Sequence, residues 1–169
     1  MSNKAVFFDR DGTLNVEVGY LYEIDKFKWI NGAQEAIKFC NDNGYLAIVV
    51  TNQSGVARGF YAEEDIINLH NFMQEELAKV GAHIDDFFYC PHHPNGVIEK
   101  YSIDCECRKP KSKLIDDACM KYDIDKSKSL MIGDKPRDVE CGENAGVRSI
   151  LFEGENLLNT IQSAIESAE

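Results

Sequence analysis

Two aspartates, Asp9 and Asp11, lie one residue apart in the segment VFFDRDGTLN, directly after an apolar run. Two carboxylates this close repel each other, and neither belongs in a hydrophobic core. A cation, a phosphate group or both would offset that repulsion. The spacing therefore predicts a phosphoryl-transfer site, whose other groups must come from elsewhere in the chain.

The two aspartates suit different steps of a phosphoryl transfer. Asp9 can attack phosphorus and carry the group as an aspartyl-phosphate. Asp11 can act as general acid toward the leaving alcohol and then as general base toward water. Magnesium is a hard cation that prefers oxygen ligands. We expect Asp9, Asp11 and Asp134 to hold it. The carboxylates of Asp9 and Asp134 are the expected ligands, together with a backbone carbonyl.

Two further polar stretches follow apolar runs, TNQSG after residue 50 and GDKPRD after residue 132. Thr51 and Asn52 can donate hydrogen bonds to phosphoryl oxygens. A lysine must neutralise the remaining negative charge; Lys109 is the best candidate and Lys135 the second. An isolated Asp-x-Asp is also typical of a solvated turn, but three polar stretches at one edge of a fold favour a site.

The elements that would position these groups alternate between strands and helices. Short apolar runs predict strands at 5–8, 45–50, 87–89, 129–132 and 149–152. Helical spacing predicts helices at 32–43, 62–80 and 111–122, a further helix that ends at about 144, and a last helix that begins at about 156. This alternation predicts a single α/β domain, 1–169, with a three-layer, Rossmann-like parallel sheet and helices on both faces. Ligands bind beyond the carboxyl ends of such strands, where the polar stretches would meet.

The composition excludes several classes of partner. A net charge of −11 without a basic stripe argues against a nucleic-acid surface. No apolar stretch approaches the length that spans a bilayer, so we expect no membrane partner. The start, MSNKAVFFDRDG, lacks the features of a signal peptide, and we expect a cytoplasmic monomer that binds a small molecule.

The six cysteines fall into two groups, and a cytoplasmic chain argues against disulfides. Three lie singly in predicted helices and are expected to be small buried hydrophobes: Cys40, Cys119 and Cys141. The others flank a His-His pair in an irregular loop at about 90–110. Three thiolates and one imidazole can form a closed tetrahedron that suits structural Zn²⁺, although spacing alone does not decide between His92 and His93.

Taken in order, DRDGT, the strand ending in TN, the lysine of CRKP and GDKPRD resemble the four motifs of the haloacid dehalogenase (HAD) superfamily of phosphatases. The resemblance implies an aspartyl-phosphate mechanism with Asp9 as nucleophile and Asp11 as general acid and base. It also implies that Thr51 and Lys109 stabilise the phosphoryl group and that Asp134 completes the Mg²⁺ site. The interval between the first two motifs leaves no room for a large cap domain, so the chain resembles capless members.

The segments FFDRDGTLN, EVGYLYEID, TNQSGVARGF, YCPHHPNG and CECRKPK resemble one branch, the D-glycero-D-manno-heptose 1,7-bisphosphate 7-phosphatases of nucleotide-activated heptose biosynthesis. The zinc ligands that this resemblance implies are Cys90, His92, Cys105 and Cys107. The substrate-binding residues that we expect are Glu17, Val18, Gly19, Tyr20, Thr51, Asn52, Gln53, Ser54, Arg108, Lys109 and Lys135. Arg108 is the best cation for the sugar or its distal phosphate, Arg58 is a weaker candidate, and Arg137 receives no role.

Three alternatives remain at this point. The histidinol-phosphate phosphatases share several motifs, but they have a shorter zinc loop than the twelve residues that separate His92 from Cys105 here. A phospho-receiver signalling domain also uses an aspartate and Mg²⁺, but it carries its phosphoacceptor on a later strand. A zinc-held binding module leaves DRDGT and GDKPRD unexplained.

Overall fold

The computed structural model describes residues 2–167, which form one five-stranded parallel sheet and five α-helices. The strands are β1 (Lys4–Phe8), β2 (Tyr45–Asn52), β3 (Asp86–Cys90), β4 (Leu130–Gly133) and β5 (Arg148–Leu151). The helices are α1 (Ala33–Asp42), α2 (Glu63–Ala78), α3 (Lys113–Tyr122), α4 (Pro136–Ala145) and α5 (Leu157–Ser167). The predicted α/β alternation is confirmed.

Apolar side chains cover both faces of the sheet, as expected for parallel strands. On one face, alternate residues of β1 such as Val6 and Phe8 pack against apolar residues of α1, α2 and α5. On the other face, Phe7 packs with residues of α3 and α4. The three single cysteines in these helices are buried, as predicted: Cys40, Cys119 and Cys141. The three-layer architecture is therefore also confirmed.

The strand order is β3-β2-β1-β4-β5, so the chain leaves β1 toward one edge of the sheet and later returns to its other side. The crossovers therefore diverge between β1 and β4, where open α/β sheets bind their ligands. The backbone N–H of Asp9, just beyond β1, donates to the Ile132 carbonyl of β4 at 3.0 Å. The ends of these two strands are thus fixed side by side.

Strands β2, β3 and β4 each extend further toward the ligand edge than the sequence indicates. Strand β2 includes Thr51 and Asn52 because β3 continues to Cys90 and pairs with both residues. Asn52 lies opposite Cys90 in this register. The first residue of the cysteine-rich loop is therefore tied directly to the strand that carries the TNQSG segment.

Residues 9–44, which connect β1 to β2, contain only a short 3-10 turn and α1 as helical elements, and no inserted cap domain. Among residues 2–167, no helix is both long enough and apolar enough to cross a bilayer.

Candidate active site

A buried lysine joins the residue after β1, strand β2 and the first turn of α4. The Nζ of Lys109 donates hydrogen bonds to Asp9 Oδ1 at 2.7 Å, to Asp138 Oδ1 at 2.6 Å and to the Val50 carbonyl of β2 at 2.9 Å. Lys109 is 2% exposed. The structure therefore places the predicted lysine directly against the predicted nucleophile.

Asp138 is the functional neighbour that the sequence analysis missed. It is fully buried in the first turn of α4, where its Oδ2 accepts a hydrogen bond from the Lys135 backbone N–H at 3.1 Å. The same carboxylate thus starts the helix and holds Lys109. The available signal was the second aspartate of GDKPRD.

Burial and the neighbouring charges shift the pKa values of Asp9 and Lys109. Burial raises the pKa of the Asp9 carboxyl well above its usual value; Lys109 opposes this shift, and the nearby carboxylate of Asp138 adds to it. Burial by itself would lower the pKa of Lys109, but the charges of Asp9 and Asp138 outweigh it and raise that pKa. Two carboxylates therefore share one ammonium, which leaves a negative excess that a divalent cation can offset.

The carboxylates at this edge fit such a cation. Ligand atoms of Asp9, Asp134 and Asp138 lie within 4.8 Å of one another. Asp134 Oδ1 is buried and has no hydrogen-bond partner among residues 2–167, as expected of an oxygen that binds a metal. Gly12 has a φ of +88°, and a Cβ there would overlap the Asp134 carboxylate. This close approach explains the glycine of DRDGT.

Asp11 differs from the other predicted Mg²⁺ ligands, because its carboxylate is engaged elsewhere. Its Oδ1 accepts from Arg10 Nη2 at 3.1 Å and from Asn15 Nδ2 at 3.0 Å. Its Oδ2 accepts from Gln53 Nε2 at 3.2 Å. Three neighbours therefore fix the orientation of a carboxylate that also lines the cleft above Asp9.

Arg10 is fully buried, and its sequence position alone predicted no role for it. Besides Asp11, it contacts His70 Nε2 at 3.2 Å, the Leu21 carbonyl at 3.2 Å and Gln53 Oε1 at 3.3 Å. Burial and the Arg10 charge lower the pKa of His70 to about 2, so this imidazole is neutral and can accept. Asp11 is thus supported from behind by a buried network.

Residues of the TNQSG segment line the cleft and also support the backbone of Lys109. Thr51 is 1% exposed and lines the cleft with Asp9. The Asn52 side chain binds the backbone of Lys109, accepting from its N–H at 2.9 Å and donating to its carbonyl at 3.3 Å. Asn52 therefore positions the lysine segment, in addition to its predicted place in the substrate site.

An open cleft of about 320 Å³ lies over these groups. It is lined by Asp9, Asp11, Glu17, Gly19, Tyr20, Thr51, Asn52, Gln53, Ser54, Arg58, Tyr61, Arg108 and Arg137. Most of the predicted substrate-binding residues are in this set, and Arg137 joins them although it was given no role. Val18 is outside the set and 47% exposed. Lys135 and Lys109 are also outside it: Nζ of Lys135 lies 3.8 Å from Asp134 Oδ2, and Lys109 is buried against Asp9.

The cysteine-rich loop gathers the four predicted zinc ligands. Ligand atoms of Cys90, His92, Cys105 and Cys107 lie within 4.8 Å of one another. The three sulfur–sulfur distances are 2.9, 3.3 and 3.4 Å, and His92 Nδ1 lies 3.4 and 3.6 Å from two sulfurs. His93 points away from this group toward Arg58. The donor set fits a tetrahedral Zn²⁺ site, with His92 as its nitrogen ligand.

Comparison with known proteins identifies the family. A model of the HAD-hydrolase-like family matches residues 106–160. The chain is 45% identical, over 146 residues, to D-glycero-beta-D-manno-heptose-1,7-bisphosphate 7-phosphatase of Haemophilus influenzae, covering 86% of this chain and 79% of the relative. The chain belongs to the heptose-1,7-bisphosphate 7-phosphatase family. This phosphatase is therefore a phosphoric monoester hydrolase of the HAD superfamily, as the motifs indicated.

Two further relatives extend the comparison. An alpha-anomer 7-phosphatase of Photorhabdus laumondii is 42% identical to this phosphatase over 144 residues, covering 85% of this chain and 79% of the relative. The crystal structure of D,D-heptose 1,7-bisphosphate phosphatase from B. bronchiseptica, complexed with magnesium and phosphate, has a TM-score of 0.84 and 27% identity, covering 97% of this chain and 99% of that one. Family membership favours a hydrolase over a phospho-receiver domain or a binding module.

Replacing Lys109 with Met tests the buried pairing. Methionine has a similar length but no charge, so the variant leaves the carboxylates of Asp9 and Asp138 buried and unpaired. We expect the free energy of unfolding in urea to fall by about 3–5 kcal/mol, and phosphate release to be lost.

The double variant Lys109→Met/Asp138→Asn is the matched control. It removes one of the two unpaired carboxylates, so it should recover part of the lost stability but none of the activity. Wild-type stability in the single variant would contradict the pairing.

Proposed function

We propose that this chain hydrolyses the 7-phosphate of D-glycero-D-manno-heptose 1,7-bisphosphate with Mg²⁺ as cofactor, as a step in nucleotide-activated heptose biosynthesis. The observation that carries the proposal is the carboxylate of Asp9, which is held by Lys109 at the floor of a cleft lined by arginines. The names of the relatives above support this substrate. A cytoplasmic location and a monomeric state stay predictions.

In the first step, a carboxylate oxygen of Asp9 forms a bond to phosphorus while the bond from phosphorus to the sugar oxygen breaks. Asp11 gives its proton to the departing sugar oxygen. The product is a phosphoryl group on Asp9 and a free sugar hydroxyl. The hydroxyl of Thr51 and the ammonium of Lys109 lie at this edge to stabilise the phosphoryl oxygens.

In the second step, Asp11 takes a proton from water, and the water oxygen attacks phosphorus. The bond to Asp9 breaks, which releases phosphate and restores the carboxylate. The hydrogen bonds from Arg10, Asn15 and Gln53 keep Asp11 in one orientation for both proton transfers. Fixed orientation of this kind contributes to the rate because little reorganisation is needed during the reaction.

Magnesium, when bound, would offset the negative charge that accumulates between the carboxylates and the phosphoryl group. We propose the carboxylates of Asp9 and Asp134 as its ligands, together with the backbone carbonyl of Asp11. The buried and unpartnered Oδ1 of Asp134 supports this assignment.

Zinc at the four-ligand cluster has a structural role in this proposal, because four protein ligands leave no open position. The cluster ends at Cys107, and the next two residues are Arg108 and Lys109. Holding the loop therefore orients both cations toward the cleft. Removal of zinc should lower stability and turnover together.

A phosphate-release assay with Mg²⁺ tests the substrate, comparing the heptose bisphosphate with histidinol phosphate and hexose bisphosphates. We expect the highest kcat/KM on the heptose bisphosphate. Asp9→Asn is the control for background hydrolysis; it keeps the size of the side chain but removes the nucleophile. Its kcat should fall at least about 100-fold. An equal kcat/KM on histidinol phosphate would overturn the substrate, and retained activity in Asp9→Asn would overturn the nucleophile.

Metal analysis of protein purified without chelator tests the zinc site. We expect about one zinc per chain, as one four-ligand site requires. Cys107→Ser should lower both the zinc content and the melting temperature, because binding energy at a structural site contributes to folding. Cys119→Ser, a buried cysteine outside the cluster, is the matched control and should keep its zinc. Full zinc occupancy in Cys107→Ser would remove that residue from the ligand set.

A further inference from the structure

The side-chain amide of Gln53 lies between Asp11 and a buried tyrosine, Tyr61. Its Nε2 donates to Asp11 Oδ2 at 3.2 Å and to Thr51 Oγ1 at 3.0 Å. Its Oε1 accepts from Tyr61 Oη at 2.6 Å and from Arg10 Nη2 at 3.3 Å. Gln53 is 2% exposed, so these contacts are shielded from water. The phosphoryl-transfer steps described above give no role to Tyr61.

The partners of Gln53 determine which end of its amide faces Asp11. An amide NH₂ group only donates hydrogen bonds, and an amide oxygen only accepts them. Arg10 can only donate, and an ionised Asp11 can only accept. The reverse orientation would therefore bring two donors together at Arg10 and two acceptors together at Asp11. In the orientation that avoids both conflicts, Gln53 donates to Asp11.

The hydroxyl of Tyr61 makes the shortest contact to this amide. Burial raises the pKa of Tyr61 above its usual value, so the hydroxyl keeps its proton and donates it to Gln53 Oε1. The contact from Arg10 Nη2 is longer than most N–H···O hydrogen bonds, and the same nitrogen also donates to the Leu21 carbonyl. Tyr61 is therefore the main partner of the Gln53 oxygen.

The ring of Tyr61 is held against the TNQSG segment. A Cβ at Gly55 would overlap this ring, so the glycine of that segment allows the close approach. The ring also stacks on Tyr22, with centroids 5.5 Å apart and an interplanar angle of 24°, and it packs against Val56. Its hydroxyl therefore has little freedom to move away from the amide.

The alignment of Asp11 matters because a general acid must lie within hydrogen-bond reach of the atom that it protonates. A small rotation of the carboxylate would move its oxygen away from the leaving group. The donor from Gln53 opposes such a rotation at Oδ2. Loss of this donor should therefore slow proton transfer more than it weakens phosphate binding.

We infer that Tyr61 is a positioning residue of the proton-transfer steps and that it acts on Asp11 through Gln53. This inference rests on the proposed function and deepens it, because it identifies a residue that aligns the general acid without touching it. It also gives Gln53 a role beyond the substrate contact that the sequence predicts.

The test compares two substrates that differ in their need for an acid. The leaving alcohol of a sugar phosphate requires a proton, whereas 4-nitrophenolate can leave without one. Tyr61→Phe removes only the hydroxyl. It should lower kcat/KM by about 2- to 12-fold for the best sugar phosphate of the assay above, as expected for one lost hydrogen bond. The kcat/KM for 4-nitrophenyl phosphate and the inhibition constant of inorganic phosphate should each change by less than about 2-fold.

A double-mutant cycle tests whether the effect passes through Gln53. Gln53→Met keeps the length of the side chain but removes the amide, and it should also lower kcat/KM more for the sugar phosphate than for 4-nitrophenyl phosphate. Tyr61→Phe should then have no further effect in the Gln53→Met background. A tyrosine that contacts the sugar directly would give additive losses instead, and this result would overturn the inference.

Tyr22→Phe is the matched control. Its ring stacks on Tyr61, but its hydroxyl has no hydrogen bond within residues 2–167 and the side chain is 39% exposed. The variant should leave both kcat/KM values unchanged. Urea unfolding is measured for every variant, so that a loss of stability is separated from a loss of alignment.

Asp11→Asn separates this inference from the proposed function. It should lower kcat/KM for the sugar phosphate by about 100- to 10,000-fold, and for 4-nitrophenyl phosphate far less. Equal losses on the two substrates in Asp11→Asn would contradict Asp11 as the general acid and therefore the proposed mechanism. The expected result in Asp11→Asn, combined with equal losses or no loss in Tyr61→Phe, would contradict the positioning role of Tyr61 alone.

Discussion

The contact between the Lys109 ammonium and the carboxylates of Asp9 and Asp138 is the interaction on which the site depends. These residues are far apart in the chain and meet only because the carboxyl ends of parallel strands share one edge. A buried carboxylate without a partner is costly, and so is a buried ammonium. Their pairing allows a nucleophile to stay inside the fold, and the remaining negative charge, increased by Asp134, creates the demand for a divalent cation.

Lys109 is held from two sides, which connects the active site to the cysteine-rich loop. The side chain of Asn52, at the end of β2, forms two hydrogen bonds with the backbone of Lys109. Opposite Asn52 in the sheet lies Cys90, the first residue of the Cys/His cluster. Loop, strand and lysine are therefore directly connected, so a change at the cluster reaches the phosphoryl site through few contacts. A phosphoryl-transfer site depends on such prior positioning of its groups.

The sequence could predict the meeting of Asp9, Thr51 and Asp134, because each lies at or just beyond a strand end and parallel strands end at one edge. Lys109 was predicted on other grounds, since the negative charge of the site requires a lysine and CRKP resembles a family motif. The sequence could not predict Asp138 as a partner of Lys109. Whether the second aspartate of GDKPRD faces solvent or the sheet depends on the residue at which α4 begins. That residue is determined by how the helix packs against the sheet. Spacing alone could not decide between His92 and His93, because adjacent residues in a loop have no periodicity from which a direction follows. The family resemblance implied His92, and His92 is the histidine that lies in the Cys/His cluster.

Arg10 shows a different limit of sequence interpretation. A charged residue between two aspartates is typical of an exposed turn, yet Arg10 is fully buried and binds Asp11, His70 and Gln53. These partners come from three separate segments, so their convergence exists only in the folded chain.

The stereochemical course at phosphorus most directly tests the claim that the reaction passes through a phosphoryl group on Asp9, using wild-type enzyme and a substrate with a chiral phosphoryl group. Two successive displacements through Asp9 predict retention of configuration, whereas inversion would show that water attacks the substrate directly and would contradict the covalent mechanism.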